Sequence, residues 1–558
     1  MRKLCSILIT AMVLSLMSGC SATADSAQVR TITQNADSGE IIVTAAESES
    51  ESDIKDKISD VLSTELFTDE DATPINLDEQ SGTVNITAPN NYVLTGKLEG
   101  QIVIDTASEG KVKLILNGVD IVNNGDACIY VKNADKVIVS SNEGSINNLT
   151  SKGEFIQSDE NNVDAVIFSQ DDLNLNGDGV INIVSEEGHG VVSKDELKIK
   201  DGEVNIISDK KGISGKDALT IEGGVISIES RTHAIASEGD IEISGGEITI
   251  SSDEKDGIHT DGNVVISDGK INILKSSEGI EGLTVTISGG EINLKSSDDG
   301  INSSNSTSSE EDNMQMDNRG GGRGMGEIGQ NPFIADDGAD ITISGGVIYV
   351  NADGDGIDSN GTFNMTGGEL YVTGPVTSAD GALDYATEAI ISGGKVVATG
   401  ASGMAEGFGQ NSTQCNILYN CNTNYEGGTT VYLYDSDGNE LISYTPEKSF
   451  SSVVISSPEI KTGCIYTLVI GEDSAEIEMN SICYSTGGRG MDMMQGGGKG
   501  FGRGGGKGQG KMNENNQPPE KPDGDMGMSG DGNFNPNDTP PDGFGGGQGG
   551  PGGPMPRG

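Results

Sequence analysis

Carboxylates return at a fixed place in this 558-residue chain. Between about residues 164 and 409, a turn ending in glycine comes round about every 22 residues. The residue before that glycine is, in order, Glu187, Lys211, His233 (before Ala234), Asp256, Glu278, Asp299, Asp355, Asp380 and Glu406. Three positions further stand His259, Glu281, Asn302 and Asp358, while Asp384 falls four after Asp380. If the units stack, two rows of oxygen donors share one edge. Unit charges about 4.8 Å apart repel by about 1 kcal/mol in a water-like dielectric and about 3 to 4 kcal/mol at an effective dielectric near 20. Such a row requires full solvation or a bound cation. Carboxylate, amide and turn-carbonyl oxygens suit calcium, which collects six to eight oxygen ligands. The expected calcium ligands are Asp256, Glu278, Glu281, Asp299, Asn302, Asp355, Asp358, Asp380 and Asp384. Asp-Gly is also an ordinary turn former. Register through five successive units is what argues for a ligand role.

Two familiar calcium loops do not fit. Asp353-Gly-Asp355-Gly-Ile-Asp358 begins like an EF-hand, but its fifth position is Ile357 and its twelfth is Asn364 rather than Glu. The nine-residue calcium repeat has the wrong period.

A second row lies on the outward side of the strand that follows each Gly-Gly pair: Asn205, Ser227, Thr249, Asn272, Asn293, Tyr349, Tyr371 and Val397. Tyr349 and Tyr371 should stack as neighbours. Flat aromatic faces beside amides suit a pyranose chain, whose C–H faces stack while its hydroxyls hydrogen-bond. Tyr349, Tyr371, Asn272 and Asn293 are therefore the candidate glycan-binding residues.

Catalytic groups are few. His189, His233 and His259 are the three histidines, neither GxSxG nor HExxH occurs, and the acids are too numerous to nominate a pair. No catalytic residue is assigned. A polysaccharide lyase would need a base such as Lys or Arg near its calcium. Lys211 and Arg231 lie one or two units away, and Arg319 and Arg323 fall in an insertion.

The element that could hold these rows in register is visible in ISGGEITISSDEKDGIHTDGNVV, followed by ISDGKINILKSSEGIEGLTVT and ISGGEINLKSSDDGIN. Units begin at Leu175, Ile199, Ile221, Ile243, Ile266, Ile287, Ile343, Met365 and Ile391. Their spacings are 24, 22, 22, 23, 21, 56 across an insertion, 22 and 26. One short unit repeated in this way indicates a solenoid. Within the unit from Ile243, Ile248 and Ile250 point one way and Glu247 and Thr249 the other, with Gly245-Gly246 at the corner. The fold class is all-β: a parallel β-helix of about 22 residues per coil, right-handed by the general preference of parallel crossovers. Propellers and leucine-rich repeats need four strands or a helix per unit. A core of Ile, Val and Leu ladders accounts for 4% aromatics and no tryptophan.

Around that body the chain changes character. Residues 1–20 read as a lipoprotein signal peptide: Arg2 and Lys3, an apolar run to Leu16, then Met-Ser-Gly-Cys ending at Cys20, the expected lipidation site. The protein is then secreted and held on the extracellular face of the membrane by its lipid. Residues 21–75 read as a disordered stalk, 80–410 as the β-helix with an insertion loop at 303–337, 413–484 as a small C-terminal antiparallel β module with a hairpin turn at Asp437-Gly438, and 487–558 as a disordered Gly/Pro-rich tail. Cys128, Cys415, Cys421, Cys464 and Cys483 show no diagnostic spacing; one C-terminal bridge is compatible with them.

The net charge of −53 argues against nucleic acid and anionic membrane surfaces as partners. No pattern indicates an oligomer, so a monomer is expected.

The motif ISGGxIxIxSxxxDGI, the unit DAVIFSQDDLNLNGDG at Asp164 to Gly179, and YTPEKSFSSVVISSPEIKTGCIYTL together resemble the carbohydrate-binding parallel β-helix family of bacterial surface proteins, which is related in shape to pectate lyases. The resemblance covers about residues 80 to 485. It implies calcium-dependent binding of cellulose-like or pectic polysaccharide, without demonstrated lyase chemistry. Asp256, Asp299, Asp355, Asp380 and Glu278 match the family's acidic motif, and Lys211 and His233 depart from it. A calcium-dependent pectate lyase and a structural adhesin or spacer are the competing readings.

Overall fold

A computed structural model of the protein describes residues 72–157, 159–305 and 338–486, together with short strands at Ala11–Met12, Arg30–Gln34 and Ile41–Ala45. The signal peptide with Cys20, most of the 21–75 stalk, nearly all of the 303–337 insertion and the 487–558 tail lie outside the described residues.

Period-two runs of Ile and Val separated by glycine turns form a parallel β-solenoid of about 13 turns, at roughly 23 residues per turn. A representative coil has three strands, Asp240–Ile243, Glu247–Ser252 and Ile258–Thr260. Each pairs in parallel with its counterpart in the next coil, Asn263–Ile266, Lys270–Lys275 and Ile280–Gly282. Every expected unit start falls in one ladder, from Leu175 through Ile199, Ile221, Ile243, Ile266, Ile287, Ile343 and Met365 to Ile391. All nine are fully buried. Burying an Ile or Leu side chain contributes roughly 1.5–3 kcal/mol, and in a ladder each coil supplies half of its neighbour's contact surface.

Glycine closes the corners. Gly246 adopts φ +96, a left-handed conformation that side chains avoid. The solenoid begins at Thr73–Asn76, which pairs with Asn91–Asp105 and so takes in the last residues assigned to the stalk.

At the other end, Phe450–Ser456 pairs antiparallel with Glu388–Gly400, the strand that carries the last rung. Beyond it, Glu440–Tyr444, Val431–Tyr434, Ile465–Ile470 and Asp473–Glu478 form a four-stranded antiparallel sheet in that order. Its hairpin turns at Asp437-Gly438, where Asp435 Oδ1 accepts the backbone N–H groups of Asp437 and Asn439 at 2.9 and 2.8 Å. The five cysteines from Cys128 onward are all free, so the C-terminal bridge does not form.

Candidate glycan groove and cation edge

The outward row of the middle strand is continuous. Asn148, Asn182, Asn205, Ser227, Thr249, Asn272, Asn293, Tyr349, Tyr371 and Val397 occupy one register. Amides bond along it: Asn182 Nδ2 donates to Asn148 Oδ1 at 3.0 Å, Asn205 to Asn182 at 3.1 Å, and Asn293 to Asn272 at 3.3 Å. Tyr349 and Tyr371 stack as expected, with centroids 5.0 Å apart and rings 12° from parallel.

Tyr371 also stacks on Tyr444 of the C-terminal module at 5.5 Å, and its hydroxyl donates to Glu369. It props the platform; Tyr349, 43% exposed, presents it. Tyr444 in turn shares a 2.7 Å hydrogen bond with Thr373.

A groove of about 420 Å³ lies here, walled by Asn272, Asn293, Leu274, Tyr349, Tyr444 and Glu447, with Tyr371 behind its wall rather than lining it. Leu274 is 60% exposed because the ladder slips there: Ile250 pairs with Ile273 but Ser251 with Lys275, which leaves Leu274 as the extra residue of a bulge. The segment after Tyr444 is tied down beside it. Glu447 meets Lys295 at 3.2 Å and accepts from Asn351 Nδ2 at 2.8 Å, and Lys448 meets Asp353 at 3.0 Å. Sequence reasoning did not reach Tyr444, Glu447 or Leu274.

The turn after the same middle strand carries the acids. Inward serines at the strand ends fix it: Ser252 Oγ donates to Lys255 O at 2.7 Å and Ser296 Oγ to Asp298 O at 3.1 Å. The register orders the first row as His189, Lys211, His233, Asp256, Glu278, Asp299, Asp355 and Gly381, since these residues stand two before the paired Val191, Ile213, Ile235, Ile258, Ile280, Ile301, Ile357 and Leu383. Two positions therefore shift by comparison with the sequence reading. His189, not Glu187, neighbours Lys211, and Asp380 stands one residue out of register in the longer coil that ends at Ile391. The second row, His259, Glu281, Asn302, Asp358 and Asp384, pairs throughout.

The glycine after each acid is required by close approach. A Cβ on Gly356 would meet Val372 Cγ1 at 2.3 Å and Ala382 O at 2.5 Å. That explains the glycine and leaves the acid before it unexplained by packing. Three aspartates of the row then brace the next coil with one oxygen: Asp256 Oδ1 accepts Glu278 N–H at 3.1 Å, Asp299 Oδ1 accepts Asp355 N–H at 2.7 Å, and Asp355 Oδ1 accepts Gly381 N–H.

Side chains from the two rows then separate into two groups. Asp299, Asp355 and Asp358 bring carboxylate oxygens within 4.8 Å of one another. Burial, reinforced by surrounding carboxylates, pushes the Asp299 carboxyl up to about 6, Asp355 to about 8 and Glu278 to about 9. Asn302 Nδ2 donates to Glu278 at 3.0 Å, but its Oδ1 is buried without a hydrogen-bond partner among the described residues, and the residue is only 6% exposed. An orphaned amide oxygen beside crowded carboxylates is the donor set of a hard cation, so these residues fit calcium. Asp299, Asn302, Asp355 and Asp358 would hold it; the ion would supply charge neutralisation and open positions for ligand oxygens. Asp384 lies near enough for its charge to raise Asp299 and Asp355 further, and Asp380 does the same to Asp299.

Asp256 and Glu281 sit instead with histidines. Asp256 Oδ2 lies 3.1 Å from His233 Nδ1 and 3.4 Å from His259 Nδ1, and Glu281 Oε2 lies 2.5 Å from His259 Nδ1. Burial opposes ionisation of Asp256, yet the two imidazoles hold its carboxyl well below the usual range, while Asp256 and Glu281 raise His259 to about 10 against its own burial.

The fold and the site together define a parallel β-solenoid with an aromatic-rimmed groove and an acidic edge. Residues 80–322 match the model of a family described as carbohydrate-binding domain-containing protein. A protein of that description from Acetivibrio thermocellus is 34% identical over 126 residues, which is 22% of this chain and 44% of the relative, so the match spans less than half of that relative's length. A solved polysaccharide lyase-like protein from C. thermocellum, a gadolinium derivative, shares 27% identity over 41% of this chain and 95% of that chain, with a TM-score of 0.33. The likeness to a carbohydrate-binding domain family is found over residues 80–322, less than half of the chain.

Proposed function

We propose that this protein is a non-catalytic, calcium-dependent binder of extracellular polysaccharide, of cellulose-like or pectic type, acting as a monomer held at the cell surface through a lipid on Cys20. The groove carries the reading: an exposed tyrosine face stacked on two further rings, beside bonded asparagine amides, offers a flat apolar platform with hydroxyl partners at its edge. The match of residues 80–322 to a carbohydrate-binding family supports polysaccharide as the ligand class. The donor set around Asn302 supports calcium as its companion ion.

Affinity electrophoresis against cellulose, xyloglucan, pectin and polygalacturonate tests the groove. Tyr349→Ala should weaken retention about tenfold, as expected for a stacking contact worth about 1.4 kcal/mol. Unchanged retention in the variant, or no retention of any glycan by the wild-type protein, would sink the reading.

Lys211 favours a second reading, a calcium-dependent lyase. Burial lowers the pKa of its ammonium, which moves it towards service as a base, and it lines a small cleft with Asp164, His189 and Glu238, four rungs from Asp299 in its row. Ultraviolet-absorbing unsaturated products from pectin would establish that activity; a flat trace would dismiss it.

A further inference from the structure

We propose that the coils carrying His233, Asp256, His259 and Glu281 form a second cation site, distinct from the oxygen-only cluster and selective for a zinc-class transition metal. Ligand atoms of His233, Asp256 and His259 lie within 4.8 Å of one another. Both imidazole Nδ1 atoms face the same carboxylate oxygen, at 3.1 and 3.4 Å, and Glu281 Oε2 closes on His259 Nδ1 from the following coil. In a tetrahedral zinc site with ligand bonds of about 2.0–2.1 Å, the edges between ligand atoms are about 3.3 Å. Two of the three measured edges already have that length, and the Glu281 edge would open slightly as a metal entered.

The histidines are held rather than loose. Their rings stack at 4.4 Å and 25°, and side-chain exposure is only 15% for His233 and 21% for His259. Despite its nearness to Asp256, His233 Nδ1 is a buried nitrogen with no hydrogen-bond partner among the described residues. A buried imidazole nitrogen that stands 3.1 Å from a carboxylate oxygen without completing a hydrogen bond to it is open to a metal ion held between them. Two imidazole nitrogens with carboxylates select borderline ions such as zinc, and calcium disfavours nitrogen. The edge thus changes character along its length, from a nitrogen-containing site at these coils to an oxygen-only site at Asp299, Asn302, Asp355 and Asp358. This inference stands independently of the glycan reading.

Calorimetric titration of chelator-stripped protein with zinc, in excess calcium to fill the oxygen site, should show one equivalent bound and not displaced by calcium. His233→Asn and His259→Asn should each weaken it at least about tenfold, while His189→Asn should leave it intact. Circular dichroism checks that the variants fold. Copper-loaded wild-type protein gives a reading that needs no variant: electron spin echo modulation should show imidazole nitrogens on the metal. Absence of those nitrogens, absence of zinc uptake, or equal zinc affinity in His259→Asn would each overturn the proposal.

Discussion

Asp355 shows how a single residue carries both cost and use. Its Oδ1 accepts the Gly381 N–H, while burial and the charges of Asp299, Asp384 and Asp358 keep its carboxyl near 8. Glu278 at about 9 and Asp299 at about 6 share the condition. In the unfolded chain these groups ionise near their ordinary values of about 4. Between about pH 4 and pH 9 the folded protein therefore keeps protons that the unfolded chain has released, and metal-free stability should fall as pH rises through that window. His259, raised to about 10, acts in the same direction above about pH 6.5. Asp256, held low, adds stability that is lost only on going more acid. Calcium competes with those protons, so it should flatten the decline. Melting curves at pH 5, 7 and 9 with and without calcium check this; parallel declines would contradict it. Asp355→Asn keeps an acceptor for Gly381 and, above about pH 8, removes a charge, so its metal-free melting point at pH 9 should rise by about 1–3 °C while its response to calcium shrinks. A larger calcium response in the variant would remove Asp355 from the site.

The coil turn is the element on which these residues depend, and Gly356 is its tightest point. Gly356→Ala must push the Cβ against Val372 and the Ala382 carbonyl, at an expected cost of about 1–3 kcal/mol. Denaturant unfolding should register that loss together with weaker calcium binding, because Asp355 adjoins the displaced backbone; full retention of both would show that the turn yields without effect. What was legible in the sequence follows from the same geometry. The aliphatic ladder was readable to the residue because each inward Ile must stand over another, so an error of one position would turn it to solvent. The second acidic row was readable because it follows directly on those isoleucines. Turns tolerate added residues, so the register of Asp380 and of Glu187 was lost where coil length departs from 22, and Gly188 and Gly190 offered two anchors for one glycine. Leu274 was hidden because a bulge changes which way a side chain points without changing composition. Tyr444 and Glu447 lie 73 and 76 residues beyond Tyr371 in a region without repeats, and nothing periodic ties them to the groove. The partition of ligands into histidine and oxygen groups depends on side-chain directions across coils, which spacing alone does not record.

On the scale of the whole molecule the governing quantity is the charge of −53, of which the acidic edge is one part. A neutral glucan stacking on Tyr349 feels little of it. A polygalacturonate chain carries a negative charge on every residue and is repelled by the protein as a whole, unless cations bridge carboxylate to carboxylate at the edge beside the groove. The two polymers should therefore separate under conditions that leave the fold unchanged. Removal of calcium with a chelator should abolish retention of polygalacturonate, whereas a neutral glucan should lose only the part of its retention that the ion's open positions supply. With the chelator present, raising sodium chloride from about 0.01 M to about 1 M shortens the screening length from about 30 Å to about 3 Å. That should remove the long-range repulsion, but it cannot restore a bridge, because sodium is monovalent. Recovery of pectate retention in high salt without calcium would mean that screening was all the calcium had provided, and would take Asp299, Asn302, Asp355 and Asp358 out of glycan binding. Continued absence of retention, reversed only by calcium, would place the bridge at that edge and make the repeat spacing of the solenoid the ruler against which an anionic polymer is held.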